Sequence, residues 1–133
     1  MGNVEHFFIG HIARLQRTFT KIDVKRWNVL TKDFNEVYSQ DFSKKPNQRA
    51  FVPWILSESV ISEVISKELA GVATIVIKKE LVFTYPVHIG DTITVEVEII
   101  DLNRQMNWII QRVQCINESG IEVIRGQFIL KVI

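Results

Sequence analysis

Hydrophobic and polar residues alternate along much of the second half of the chain, and this alternation predicts β-strands. In "DTITVEVEII" at 91–100, Ile93, Val95, Val97 and Ile99 occupy every second position, which is the period of a half-buried antiparallel strand. Comparable runs are "ATIVIKKELVFTYPV", "MNWIIQRVQCIN" and "IEVIRGQFILKVI", and "NESG" between the last two predicts a hairpin turn. A strand near "FFIGHIARLQRTFT" would complete a sheet of about five strands.

Two helices are predicted between the first strand and the other four. A short helix at 22–31 follows Thr20 and Asp23, which are spaced as a capping box. A longer helix at 53–71 lies in "VPWILSESVISEVISKELAG", where Pro53 suits the first turn and Gly71 suits the C-terminal end. Apolar residues occupy most of the surface of this second helix, so we expect it to be buried on most sides.

These elements predict an α+β fold of the hotdog kind, in which a curved antiparallel β-sheet wraps around a long apolar central helix. Such a small sheet leaves an edge strand and apolar surface uncovered. We therefore expect a dimer, formed either by two copies or by this chain and another hotdog subunit.

Composition narrows the class of protein. With 133 residues, the chain fits a single domain spanning 1–133. Sixteen basic and fifteen acidic residues leave a net charge of +1, which predicts no nucleic-acid partner and no anionic membrane surface. No apolar run approaches the roughly 18 residues of a membrane span. The N-terminus does not resemble a signal peptide, and the single cysteine, Cys115, excludes an intramolecular disulfide, so we expect a cytoplasmic protein without metal or cofactor.

The stretch "LTKDFNEVYSQDF" carries the first candidate chemistry. With the preceding tryptophan, it resembles the signature of the MaoC-like, (R)-specific enoyl-CoA hydratase family: an aromatic residue, an apolar residue, Ser or Thr, Gly, Asp, any residue, Asn, Pro, an aliphatic residue and His. The corresponding residues here are Trp27, Leu30, Thr31, Lys32, Asp33, Phe34, Asn35, Glu36, Val37 and Tyr38. Asp and Asn match the signature, whereas Gly, Pro and His do not.

Two further stretches extend this resemblance over nearly the whole chain. "VPWILSESVIS" is similar to the family's Val-His-Gly-Met-Leu motif and the Ser that follows it, with Val52, Leu56 and Ser62 matching. Pro53 and Trp54 stand in place of His and Gly. Downstream, "FTYPVHIGDTITVEVEI" resembles the family's segment in which a Pro-Val pair and a Gly-Asp pair precede a strand.

The resemblance implies a role for each matched residue in adding water to an enoyl thioester of CoA or an acyl carrier protein. Asp33 would be the base, Asn35 would orient it, and Ser62 would give polar support from the central helix. The backbone amide of residue 54 would hold the thioester oxygen, because a helix N-terminus favours negative charge. Trp54, Ile55 and Trp27 would contact the substrate.

Two departures from the family bear directly on the chemistry. Tyr38 takes the position of the His, and a phenol with a reference pKa near 10 donates a hydrogen bond at neutral pH but hardly accepts a proton. Trp54 replaces a Gly that lets a ligand approach the backbone closely. Tyr38 could act as the acid with Asp33 as the base, or the activity could be modified or lost.

Simpler interpretations of the same residues remain open. Asp33 and Asn35 could cap local backbone, and Ser62 could be a packing residue. Lys44, Lys45 and Arg49 could meet CoA phosphates, although a short charged cluster is more often a solvated loop.

Three functions are therefore considered. The first is a hydratase or dehydratase with an altered catalytic pair. The second is a non-catalytic hotdog subunit that binds acyl groups or stabilises a partner. The third is an acyl thioesterase that uses Glu58, a residue that we expect to be exposed.

Overall fold

A five-stranded antiparallel sheet and one long helix form the frame of the molecule. The computed structural model describes residues 4–38, 49–69 and 71–133. In chain order the elements are a 3₁₀ turn (Val4–His6), β1 (Ile12–Thr18), α1 (Lys21–Thr31), a second 3₁₀ turn (Glu36–Tyr38), α2 (Trp54–Glu68), β2 (Thr74–Phe83), β3 (Thr92–Asn103), β4 (Trp108–Ile116) and β5 (Glu122–Val132). The strand order is β1-β3-β4-β5-β2, and every neighbouring pair is antiparallel.

The core lies between α2 and one face of the sheet. The alternation predicted for β3 is observed, since its four odd-numbered apolar side chains are all fully buried. Val60, Ile61 and Val64 of α2 face the same core. The predicted hotdog arrangement, a curved sheet around a central helix, is therefore confirmed.

The helix α2 is shorter and less enclosed than its sequence predicts. Pro53 is the N-cap, and the helix ends at Glu68 instead of continuing to Gly71. The expectation of burial holds for Val60, Ile61, Val64 and Ile65 but fails in the first turn, where Trp54 and Ile55 are exposed.

Helix α1 begins as its sequence predicts. The side chain of Thr20 accepts a hydrogen bond from the backbone N–H of Asp23, and the carboxylate of Asp23 accepts one from the backbone N–H of Thr20 at 2.9 Å. This capping box sets where α1 starts. The helix ends before Lys32, whose left-handed backbone (φ 58°) turns the chain into the loop that carries Asp33.

The strand β2 forms one edge of the sheet and is largely exposed. It is also shorter than the run at 73–87 that predicts it. Ile75, Val76 and Ile77 are between 44% and 54% exposed, although all three are apolar. An exposed apolar edge strand offers unpaired backbone groups and apolar surface to another chain.

At Gly126, β5 lies too close to the neighbouring strand β2 to leave room for a side chain. This residue of β5 lies opposite Leu81 of β2 and Val113 of β4. A Cβ atom at Gly126 would overlap the backbone carbonyl oxygen of Glu80. The position therefore requires glycine, because the adjacent strand occupies the space of any side chain.

Candidate active site

The loop after α1 is held by short-range hydrogen bonds. The side chain of Asn35 accepts a hydrogen bond from the backbone N–H of Val37 at 3.1 Å. The backbone carbonyl of Asn35 accepts one from the backbone N–H of Tyr38 at 3.0 Å. The backbone N–H of Asp33 donates to the hydroxyl of Thr31. Asn35 is exposed, and its observed contacts stabilise the turn that positions Tyr38.

The charge of Asp33 acts on the phenol of Tyr38. Tyr38 is half-buried against the core, and burial is the main cause that raises the pKa of its phenol above the usual value. The negative charge of Asp33 raises this pKa further. Tyr38 is therefore protonated at neutral pH and can donate a proton or a hydrogen bond, whereas it cannot serve as a base.

Tyr38 borders a pocket of about 380 Å³ at the N-terminal end of α2. The walls are mainly aromatic and apolar, and the residues that line it are Tyr38, Phe51, Val52, Trp54, Ser57, Phe83, Thr84, Tyr85, Pro86, Val87 and Ile124. Apolar pockets with a few polar groups are typical ligand sites. Asp33 does not line this pocket in the part of the chain that the structure describes; its observed link to the site is its charge acting on Tyr38.

Trp54 stands where the first turn of α2 meets the pocket. Its ring packs edge-on against Phe83 of β2, with the ring centroids 5.7 Å apart and an interplanar angle of 77°. Pro53, the N-cap, makes no capping side-chain hydrogen bond to this helix. The first amides of a helix lack partners within the helix, so this end of α2 suits a negatively charged oxygen.

The structure does not bring together all of the predicted site residues. Ser62 is exposed on α2, away from the pocket. Ile55 is also exposed and does not line the pocket. Trp27 borders a different cavity of about 330 Å³, between α1 and α2. Within one chain, the structure therefore does not bring Ser62, Ile55 and Trp27 together at the pocket.

Ser57 is the polar helix residue that lines the pocket, and it was missed in the sequence. It is buried, and its hydroxyl donates a hydrogen bond to the backbone carbonyl of Trp54 at 2.8 Å. Ser57, Val60, Ile61 and Val64 lie at the spacing of a single helix face. This spacing is the signal that could have identified Ser57.

Two of the candidate charged residues, Glu58 and Arg49, are engaged in ion pairs. Glu58 is half-buried, contrary to expectation, and its carboxylate lies 2.7 Å from the amine of Lys79. Arg49 forms an ion pair of 2.9 Å with the buried carboxylate of Asp91. Lys44 and Lys45 lie outside the described residues.

No cluster of three or more His, Cys, Asp or Glu side chains suited to a metal ion occurs in residues 4–38, 49–69 and 71–133. None of the helices in those ranges is long and apolar enough to cross a membrane.

Known proteins resemble this chain over nearly its whole length. It is 26% identical over 125 residues to the (R)-specific enoyl-CoA hydratase of Aeromonas caviae, which covers 92% of this chain and 93% of the relative. It is 28% identical over 120 residues to the (R)-specific enoyl-CoA hydratase of Rhodospirillum rubrum, covering 89% and 83%.

A solved structure is similar to the whole fold. The structure of the (R)-hydratase from A. caviae involved in PHA biosynthesis superposes with a TM-score of 0.88 and 24% identity, and covers 97% of this chain and 99% of that one. At this identity the superposition shows the fold. No protein-family model matches the chain.

Proposed function

We propose that this chain, which belongs to the MaoC-like family of hotdog proteins, is a hydratase or dehydratase that acts on enoyl or 3-hydroxyacyl thioesters. The observation that carries the proposal is the position of Tyr38, which borders the pocket at the N-terminus of α2 and is under the influence of the charge on Asp33. A base, an acid and an oxyanion site are the three groups that this reaction needs.

In the proposed hydration, Asp33 accepts a proton from a water molecule while the water oxygen forms a bond to C3 of the enoyl thioester. The electrons of the C2–C3 double bond move to the thioester oxygen and give an enolate. Tyr38 then donates its proton to C2 as the enolate returns to the thioester. Asp33 returns the proton of the water to the Tyr38 oxygen, which restores both groups.

The raised pKa of Tyr38 favours this cycle. A phenolate beside the carboxylate of Asp33 is unfavourable because both charges are negative, so Tyr38 recovers its proton after each turnover. Dehydration follows the same steps in reverse.

The backbone N–H of Trp54 is the proposed donor to the thioester oxygen. Charge develops on that oxygen in the enolate, and a first-turn helix amide stabilises it by hydrogen bonding and by the helix dipole. The Trp54 side chain packs edge-on against Phe83 of β2. We propose that this packing keeps the indole clear of the amide, so that the oxyanion site works although Trp replaces Gly.

We further propose that the chain forms one MaoC-like hotdog domain and works as a dimer. The exposed apolar edge of β2 supports a second chain at that edge, either another copy or a different hotdog subunit. We expect the second chain also to contact Ser62 and Ile55, which are exposed on α2. The carrier of the thioester, CoA or an acyl carrier protein, stays a prediction. The cytoplasmic location of the protein also stays a prediction.

A non-catalytic acyl-binding or partner-stabilising subunit is the second candidate. The observation that favours it is the absence of Ser62 from the pocket, which leaves the site of one chain without a residue implied by the family resemblance. The thioesterase alternative gains no such support, because the carboxylate of Glu58 is paired with the amine of Lys79.

The test follows the loss of crotonyl-CoA absorbance at high protein concentration over a wide pH range. We expect hydration by the wild type, and a loss of at least about 100-fold in both Asp33→Asn and Tyr38→Phe, the usual contribution of a positioned acid or base. Asp101→Asn, the same substitution at a residue of β3 that has no role in the proposed reaction, should retain activity. An inactive wild type at every pH would support the non-catalytic subunit instead.

A further inference from the structure

Aromatic side chains are concentrated around the pocket at the N-terminus of α2. Both tyrosines of the chain line it, together with Phe51, Trp54 and Phe83. Trp54, Phe83 and Tyr85 are 54%, 42% and 45% exposed, so their rings leave considerable apolar area in contact with solvent. Clustered exposed aromatic rings are typical of binding sites.

The aromatic walls are held in fixed positions. Trp54 and Phe83 pack edge-to-face, and Phe51 packs on His88 with ring centroids 4.7 Å apart. The backbone of Phe51 also donates to the carbonyl of Val37 at 2.9 Å and forms a β-bridge with His88. Rings from three different segments therefore line the pocket in a preorganised arrangement. Such preorganisation reduces the conformational entropy that is lost when a ligand binds.

Two hydroxyls of the pocket are already engaged in hydrogen bonds. The hydroxyl of Ser57 donates to the carbonyl of Trp54, and the hydroxyl of Thr84 donates to the carbonyl of Glu122 at 2.8 Å. None of the described residues that line the pocket is charged. The pocket is thus suited to an uncharged apolar group.

The volume of the pocket indicates the size of the group that it can accommodate. Val52, Val87 and Ile124 are buried and close the inner wall. A cavity of about 150 Å³ holds one benzene molecule. The 380 Å³ here therefore has space for a phenyl ring and the short enoyl chain that links it to the thioester.

We propose that this pocket selects thioesters whose acyl group carries an aryl ring, such as a phenylpropenoyl or phenylpropanoyl group. The proposal rests on the function proposed above, in that it places the acyl group in the pocket beside Tyr38. Offset and edge-to-face contacts with Trp54, Phe83 and Phe51 favour a planar ring over a flexible alkyl chain of the same carbon number.

The test compares the binding of 3-phenylpropanoyl-CoA and nonanoyl-CoA by calorimetry, with CoA alone as a reference. Both acyl groups have nine carbons, and neither can be hydrated. We expect the aryl ligand to bind about tenfold more tightly, since two aromatic contacts contribute about one tenfold step in affinity. Trp54→Leu and Phe83→Leu should each reduce this ratio, while Phe8→Leu, a change at an exposed ring outside the pocket, should leave it unchanged.

Equal affinity for the two ligands, or a ratio that Trp54→Leu and Phe83→Leu do not change, would overturn the proposal. Binding of neither ligand would also overturn it and would assign the rings to a contact between protein chains. Turnover of crotonyl-CoA distinguishes this result from failure of the proposed function. An active enzyme without aryl preference refutes only the acyl class, whereas an inactive protein with aryl preference refutes only catalysis.

Discussion

The carboxylate of Asp33 raises the pKa of the Tyr38 phenol, in addition to the larger effect of burial. The two residues are five positions apart, on opposite sides of the turn that Asn35 stabilises. The phenol of Tyr38 therefore stays protonated, and the nearby carboxylate of Asp33 disfavours the phenolate form. This relationship distinguishes the site from one built on a His, which titrates near neutral pH.

The first prediction concerns the titration of Tyr38. Replacing Asp33 by Asn removes the neighbouring negative charge, so the pKa of Tyr38 should fall but remain above its usual value, because burial is unchanged. The chain has only two tyrosines, and Tyr85→Phe leaves Tyr38 as the sole phenol. Ultraviolet difference titration of Tyr85→Phe with and without Asp33→Asn measures the change. A pKa that is unaffected by Asp33→Asn would contradict the electrostatic link.

The pH dependence of hydration is the second prediction. Activity requires Asp33 to be ionised and Tyr38 to be protonated. Because the pKa of Tyr38 is raised above its usual value near 10, the alkaline decline in kcat/KM should begin only above about pH 9. In Tyr85→Phe the same decline should persist. A decline centred near pH 7 would instead indicate that a histidine supplies the proton.

Glu68 provides a third prediction, on stability. Gln111 donates to the Glu68 carboxyl at 3.4 Å, and burial is the main cause that raises the pKa of Glu68, while His11 and Gln111 lower it. The folded state therefore binds the Glu68 proton more tightly than the unfolded state. Its contribution to stability is complete below the unfolded pKa of about 4.5 and decreases as pH rises through the folded pKa.

Glu68→Gln should remove this decrease, because an amide does not ionise. We expect the variant to gain stability relative to the wild type between pH 4 and pH 7, measured as the free energy of unfolding in urea. Glu36→Gln, a matched change at an exposed position, should follow the wild type. A constant difference between Glu68→Gln and the wild type over that pH range would contradict the prediction.

Gly126 gives a fourth prediction. The methyl group in Gly126→Ala would overlap the carbonyl oxygen of Glu80, so β2 and β5 must separate, at a cost of about 3 kcal/mol or more in the free energy of unfolding. Gly120→Ala is the control for backbone strain alone, because Gly120 has φ 78° and open space around it. This variant should lose about 1 kcal/mol in the free energy of unfolding. Urea unfolding of both variants tests the order, and equal losses would contradict it.

The proposed dimer leads to the fifth prediction. Val76→Lys places a charge on the exposed edge of β2 and should convert the dimer to a monomer, because a buried unpaired charge is costly. Val29→Lys introduces the same charge at an exposed position of α1 and should leave the dimer intact. Light scattering after size-exclusion chromatography reports the mass, and a wild-type monomer would contradict the dimer.

The sequence by itself determined the features that depend on neighbouring residues. The alternation at Ile93, Val95, Val97 and Ile99 predicts β3, because successive strand residues face opposite sides of a sheet. Thr20 and Asp23 predict the start of α1, since a capping box is completed within four residues. These short-range rules, together with the order of the elements, were sufficient to predict the hotdog fold.

Only the tertiary structure decided which surfaces face the core and the pocket. Ser57 and Ser62 lie on the same helix, and only the packing of α2 against the sheet places Ser57 in the lining of the pocket and leaves Ser62 exposed. The exposure of β2 depends on the strand order, which is set by contacts between residues far apart in the chain. The same holds for the aromatic pocket, where Trp54 and Phe83 meet across 29 positions of sequence. Such long-range contacts follow from packing the whole chain, and no local pattern encodes them.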